Sequence, residues 1–214
     1  MEKWTGCRNY NKSRHGSSNA RGVSILIKNG FNCIIHQKIL DPLRRFIFLK
    51  TNIKDKTYGL INVYAPNKDK DLLSFFNNLL ATLQRENLDS EDYIVTGGDF
   101  NCPLNPEIDK KGGMIIQRKS VTACIDWLQN QLDLADIWRT KYPDKRSFTW
   151  SQQSPRIFCR LDYWLISNNL NDLMKSSHII PAPRTDHDAV WIEIGELENE
   201  QKGPGYWKML LFES

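Results

Sequence analysis

Nowhere in these 214 residues does an apolar run approach the roughly 20 residues that a membrane-crossing helix needs. Paired cysteine motifs are missing too. The five cysteines, Cys7, Cys33, Cys102, Cys124 and Cys159, are odd in number and widely spaced, which argues against a disulfide framework or a zinc site. The opening Met1-Glu2-Lys3-Trp4-Thr5 lacks the hydrophobic centre of a signal peptide, and there is neither an internal repeat nor a low-complexity tract. The expectation from these absences is an intracellular, reducing compartment, nuclear or cytoplasmic.

With 40% hydrophobic and 25% charged residues, the chain has the composition of one globular domain or of one domain with a short tail. Its formal charge of +4 is modest. Basic residues nevertheless recur in segments that read as loops: Arg8, Lys12, Arg14 and Arg21; Lys110, Lys111, Arg118 and Lys119; Lys141, Lys145 and Arg146. They suit a polyanionic substrate, and equally an ordinary solvated surface.

Short β-branched runs dominate the pattern. Residues 22–27 and 31–39 flank a Lys-Asn-Gly turn and read as a hairpin. Residues 43–50 and 57–64 read as a second hairpin, ending at Ala65-Pro66. From Asp69 to Glu86 the period changes to that of a helix, with Leu72, Leu73, Phe76, Leu79, Leu80 and Leu83 on one face. A brief strand over 93–96 runs into Gly97-Gly98-Asp99, so Asp99 is expected at its carboxyl end, where loops commonly carry chemistry. Helical stretches are expected over 121–129 and around 134–138, then strands over 147–150, 157–166, 177–180 and 189–194. This order favours an α+β fold of two antiparallel-rich sheets packed face to face and flanked by helices; a doubly wound parallel sheet is the alternative. The composition shifts after Ile194 to Glu196, Glu198, Glu200, Lys202 and Gly203-Pro204-Gly205. The domain is therefore placed at 1–195 and a linker at 196–214.

Three polar constellations interrupt these strands. Gly98-Asp99-Phe100-Asn101 offers a carboxylate and an amide just beyond a strand, and is also what an ordinary Asp/Asn turn looks like. Arg160-Leu161-Asp162-Tyr163-Trp164 puts Asp162 among apolar neighbours, where a carboxylate needs a partner. Arg184-Thr185-Asp186-His187-Asp188 places an imidazole beside carboxylates between two strands. Carboxylates, a histidine and a metal are what phosphodiester hydrolysis uses to activate water and stabilise developing charge.

With Asn62-Val63-Tyr64-Ala65-Pro66 upstream, this ordered set resembles the endonuclease/exonuclease/phosphatase superfamily, and within it the apurinic-endonuclease-like domains of LINE-type retrotransposons. Further resemblance lies in Trp4-Thr5-Gly6, in the segment from His15 to Val23, in that from Leu132 to Trp138, in Phe148-Thr149-Trp150-Ser151 and in the tail from Gly203 to Lys208. The resemblance implies a four-layer αββα sandwich and a metal-dependent, DNA-nicking endonuclease that continues into a reverse transcriptase and acts as a monomer. It implies that Asp99 orients or deprotonates the attacking water, with Asn101 helping to hold it. Tyr64 would contact the phosphate, His187 would stabilise its developing charge, and Asp162 would fix the tautomer of His187. Asp186 would organise Mg²⁺ or Mn²⁺, directly or through water. Thr149, Arg160 and Thr185 would lie against DNA, with Thr185 standing where the family usually has serine. A non-catalytic nucleic-acid-binding remnant is the competing reading, and a phosphodiesterase acting on inositol phosphates or sphingomyelin a more distant one.

Family members open with one strand ending in Asn and another ending in the Glu that is the principal metal ligand; this sequence begins after that point. Glu2 lies just before Trp4 and is a poor substitute. The expectation is a domain missing its first strands and an exposed sheet edge in their place. A central strand contributes about 5–9 kcal/mol of apolar burial, against a domain stability of about 5–15 kcal/mol. The isolated chain is therefore expected to aggregate, and to show little Mg²⁺-dependent nicking. Calorimetry with light scattering checks the first point, and a cooperative melt of soluble monomer would refute it.

Overall fold

The structure, a computed structural model, describes residues 4–10, 22–86, 92–114 and 119–195. The expected linker at 196–214 and the segment from His15 to Arg21 lie outside the described residues, as do Glu2 and Arg118.

β1 (Trp4–Tyr10) pairs antiparallel with β2 (Gly22–Lys28). β3 (Cys33–Leu40), β4 (Phe46–Ile53) and β5 (Lys56–Tyr64) form an antiparallel meander, followed by α1 (Asp69–Arg85) and β6 (Tyr93–Asp99), which pairs parallel to β5. Next come α2 (Pro106–Asp109), β7 (Lys110–Lys111), α3 (Lys119–Gln131), β8 (Leu134–Asp136) and α4 (Ile137–Lys141). β9 (Trp150–Gln152), β10 (Ile157–Cys159), β11 (Asp162–Ser167), a 3-10 turn (Asn168–Leu173), β12 (Met174–Ile180) and β13 (Ala189–Ile194) complete the described chain. The main sheet has six strands in the order β3-β4-β5-β6-β11-β8. β1–β2 and β12–β13 are separate two-stranded ladders, and β7-β10-β9 is a three-stranded one.

Side-chain alternation sorts the core into two layers. Phe46, Phe48, Ile61, Val63 and Leu165 point from the sheet towards α1 and α3, where they meet Leu72, Phe76, Leu79, Leu80, Ile125 and Leu128. Ile47, Leu49, Leu60, Val95, Trp164 and Ile166 point the other way, onto Val23 and Ile25 of one ladder and Val190 and Ile192 of the other. Both faces of the central strands are covered, which is why they read as continuous apolar runs. In α1, Asp69 and Asp71 in the first turn and Arg85 in the last complement the helix dipole.

The α+β sandwich is the expected architecture, with local differences. Residues 22–27 and 31–39 form strands but not a hairpin: Gly30, at φ +83°, turns the chain out of one ladder and into the main sheet. The expected strand over 157–166 is two strands in different sheets, parted at Arg160-Leu161. Residues 134–136 are a strand pairing with β11, and only from Ile137 is the chain helical. Leu73 is exposed on α1, and Phe75 takes the buried place.

β6 approaches its neighbours too closely for side chains at two positions. A Cβ on Gly97 would lie 2.3 Å from the Trp164 ring, and one on Gly98, at φ +136°, 2.0 Å from the Val63 carbonyl oxygen. Backbone cannot yield as a flexible side chain can. Gly98→Ala is expected to destabilise the protein by about 3 kcal/mol, read as a lowered urea midpoint of the soluble fraction.

Candidate active site

Strand register assembles the site. Tyr64 of β5 pairs with Asp99 of β6, and Asp99 pairs with Asp162 of β11, so the three side chains stand in one row across adjacent strands. The row lies in a cleft of about 70 Å³ that His187, Thr185, Asp188 and Asn62 also line.

Asp99, 4% exposed, is held by its own turn. Its Oδ1 accepts the Asn101 backbone N–H at 2.8 Å and its Oδ2 the Asn101 Nδ2 at 2.8 Å; the same amide donates to the Ala65 carbonyl at 2.8 Å. Asn101 sits at φ +50°, a conformation its short amide tolerates. Between them Phe100 is fully buried against Tyr163, with ring centroids 4.2 Å apart, and its N–H donates to the Leu161 carbonyl. The aromatic plug fixes the turn, and the turn fixes the carboxylate.

Asp162, 8% exposed, faces His187: Nδ1 of the ring lies 2.8 Å from its Oδ2. Burial pushes the Asp162 carboxyl above the ordinary carboxylate range; the bond to His187, the charge of its ring and a bond from Thr149 oppose that rise, and Asp188 reinforces it.

Thr149 and Arg160 are not placed to touch DNA. Thr149 is 1% exposed, and its Oγ1 accepts the backbone N–H groups of Leu161 at 2.9 Å and Asp162 at 3.0 Å. Its carbonyl accepts the Asp188 N–H, so one residue ties the Asp162 strand to the His187 loop. Arg160 is 1% exposed, its guanidinium clamped by Asp109 at 2.7 and 3.0 Å and by Asp136 at 2.6 and 3.2 Å. Burial works against its charge, but Asp136 and Asp109 outweigh that and keep it protonated. Such a group fastens α2 and α4 to the start of β11. Thr185 does line the cleft, and its Oγ1 accepts the His187 N–H at 3.2 Å.

Asp186 differs from its expected place. It is exposed, its Oδ2 accepts Trp150 Nε1 at 2.9 Å, and the neighbouring Asp188 takes its place among the cleft residues. Among the described residues no three carboxylates, histidines or cysteines are positioned to share a cation. These residues therefore do not fit the Mg²⁺ or Mn²⁺ site that the resemblance implies. Asp188 and Asn62, whose Nδ2 bonds the Ser24 carbonyl of β2 at 2.9 Å, are cleft residues that sequence reasoning missed. Asp188 could have been suspected, since it directly follows His187.

The sequence profile of the Endonuclease/Exonuclease/phosphatase family matches residues 3–187. This chain belongs to that family. It is 30% identical over 168 residues to the transposon TX1 uncharacterized 149 kDa protein of Xenopus laevis, a match covering 76% of this chain and 12% of that protein. The chain thus spans about an eighth of the relative's length. Its fold is that of the AP endonuclease LMAP from Leishmania major, with a TM-score of 0.70 and 16% identity over 91% of this chain and 71% of that one. The 3′ phosphatase NExo from Neisseria, solved with product DNA hairpin, aligns at a TM-score of 0.62 and 17% identity, covering 90% of this chain and 80% of its own. The family's description names endonucleases, exonucleases and phosphatases. No described helix is long and apolar enough to cross a membrane.

Removing Arg160 strands two buried aspartates. Arg160→Met is expected to destabilise the protein by about 3–5 kcal/mol, measured by urea unfolding. Thr149→Ser, which keeps the hydroxyl, is expected to leave stability and the His187 ring resonances near those of the parent, whereas Thr149→Val shifts the His187 resonances in NMR.

Proposed function

We propose that the chain is the DNA-nicking endonuclease domain of a LINE-type retrotransposon, hydrolysing one phosphodiester bond per turnover. The observation that carries this reading is the row of Tyr64, Asp99 and Asp162, with His187 docked on the last of them, in one cleft. In the proposed reaction, Asp99, oriented by Asn101, takes a proton from a water as its oxygen attacks phosphorus. The ester P–O bond on the far side breaks, and the leaving oxygen is protonated from solvent. Tyr64 donates a hydrogen bond to a phosphoryl oxygen. His187, held by Asp162, places its Nε2–H against the charge that develops there. The resemblance implies Mg²⁺ or Mn²⁺ as cofactor; the described residues leave the cation's donor set incomplete, so weak activity is the expectation for the chain as it stands.

DNA is the proposed partner, met by a monomer inside the cell. Residues 1–195 are proposed as the domain, and 196–214 as the lead into a reverse transcriptase; the match to a much longer transposon protein supports that continuation. The competing reading, a non-catalytic DNA-binding remnant, is favoured by the incomplete donor set among the described residues. The two separate on supercoiled plasmid. The endonuclease reading expects nicking in Mg²⁺ or Mn²⁺ that falls at least about tenfold in Asp99→Ala and in His187→Ala, since each supplies acid–base or charge stabilisation of that order or more. Binding with a steep salt dependence and no nicking selects the remnant.

The raised Asp162 carboxyl gives the pH dependence a sign. As pH falls, the carboxylate that holds His187 is protonated earlier than an ordinary aspartate, so nicking is expected to fade at a pH above the usual carboxylate range. A pH–rate profile flat down to pH values of about 4 would exclude this role.

A further inference from the structure

The Tyr64 phenol has a cation on its face. The guanidinium carbon of Arg45 lies 5.0 Å from the centroid of the Tyr64 ring, and Arg45 Nη1 donates to the Tyr64 carbonyl at 3.3 Å. The Tyr64 N–H in turn donates to the Arg45 carbonyl at 2.7 Å, so backbone and side chain both tie the end of β5 to the residue just before β4. Arg45 is itself delivered by a built turn. The buried Asp41 accepts the Arg45 N–H on its Oδ2 at 2.8 Å, the Arg44 N–H donates to the Asp41 carbonyl at 2.8 Å, and Arg44 adopts φ +61°. One residue past Tyr64, the Ala65 N–H donates to the Asp99 carbonyl and the Ala65 carbonyl accepts the Asn101 amide. The Arg45–Tyr64 pair is thereby continuous with the turn that holds Asp99.

We propose that Arg45 is a positioning residue for Tyr64: its guanidinium clamps the ring over the cleft and, as a fixed positive charge on the ring face, makes the phenol a stronger hydrogen-bond donor to a phosphoryl oxygen. A cation over an aromatic face is attracted by the ring's negative quadrupole, and it stabilises an oxygen that gains negative character even more. Arginine suits the role because its planar group stacks on the ring while an edge N–H reaches the carbonyl; lysine would keep the charge and lose the stack. Among the described residues, the other charged or titratable groups along the same cleft are Asp99, Asp162, Asp188 and His187. The three carboxylates oppose ionisation of the phenol, which gives a clamped cation on its ring something to offset.

The functional consequence rests on the phosphodiester reading, but the coupling between the two residues does not, so the test has two arms. In the first, tyrosines carry ¹³C at Cζ, and the Tyr64 resonance is identified by its loss in Tyr64→Phe. Arg45→Gln keeps a donor for the Tyr64 carbonyl and removes the charge. It is expected to raise the titration midpoint of the Tyr64 phenol by about one pH unit, while Arg45→Lys restores part of the difference. A midpoint unchanged in Arg45→Gln overturns the inference, whatever the activity. Should Arg45→Gln fail to fold, Arg45→Lys alone decides: a Tyr64 resonance and midpoint identical to those of the parent refute the clamp. In the second arm, plasmid nicking by Arg45→Gln is expected to fall about tenfold in kcat with little change in KM. Shifted phenol titration with no nicking by any protein, parent included, leaves the clamp standing and removes the endonuclease reading.

Discussion

Everything at the site hangs on how closely β6 can approach its two neighbours. Gly97 lets the Trp164 ring lie flat on the strand, and Gly98 lets the Val63 carbonyl come nearer than any side chain allows. Those approaches permit β6 to pair parallel with β5 on one side and antiparallel with β11 on the other. Because side-chain direction alternates with every residue, a slip of one position would send Asp99 to the opposite face of the sheet. The two glycines therefore specify which carboxylate meets which tyrosine, although neither has a side chain to contribute.

Around this register lie two polar clusters that solve the same problem differently. Asp162 is a buried carboxylate whose charge is met by a titratable partner, His187, and by the Thr149 hydroxyl. Asp109 and Asp136 are buried carboxylates met by the permanent charge of Arg160. Arg160 and Asp162 are two residues apart on one chain segment. The first cluster can change its charge within the range of pH that proteins encounter and so can take part in chemistry; the second cannot, and holds the segment still. A fixed ion cluster next to a titratable one resists rearrangement when the latter gains or loses a proton.

The fold and the site were legible in the sequence to different depths. Strands over 22–28, 56–64 and 189–194, and the helix from Asp69, follow from local periodicity, which is a property of neighbouring residues. Strand partnership is not local. Residues 22–28 and 33–40 are separated by a good turn signal and still belong to different sheets, the first pairing with β1 and the second with β4. β1 was missed because Trp-Thr-Gly-Cys-Arg-Asn-Tyr has no clean apolar alternation. Tyr64, Asp99, Asp162 and His187 could be grouped by resemblance; the register aligns the first three, and a bond to Asp162 adds His187. The expectation that Arg160 lies against DNA fails because its acidic partners are 51 and 24 residues away, a pairing that no window of sequence displays. For Thr149 and Asp186 the resemblance supplied a neighbourhood, while their hydrogen bonds decided which way each side chain faces.

The contact between His187 and Asp162 crosses from one sheet to another. Asp162 opens a strand of the six-stranded sheet, whereas His187 precedes β13 in a ladder of only two strands that rests on it. Small peripheral ladders open at lower free energy than the central strands they cover. The imidazole is thus mounted just before a peripheral ladder, in a loop that backbone bonds from Ser151 to Asp186 and from Asp188 to Thr149 hold in place, and the carboxylate on a central strand. The relative placement of the two side chains therefore depends on how the ladder packs on the sheet, through Val190 and Ile192 against Trp164 and Ile166, and not on either sheet alone.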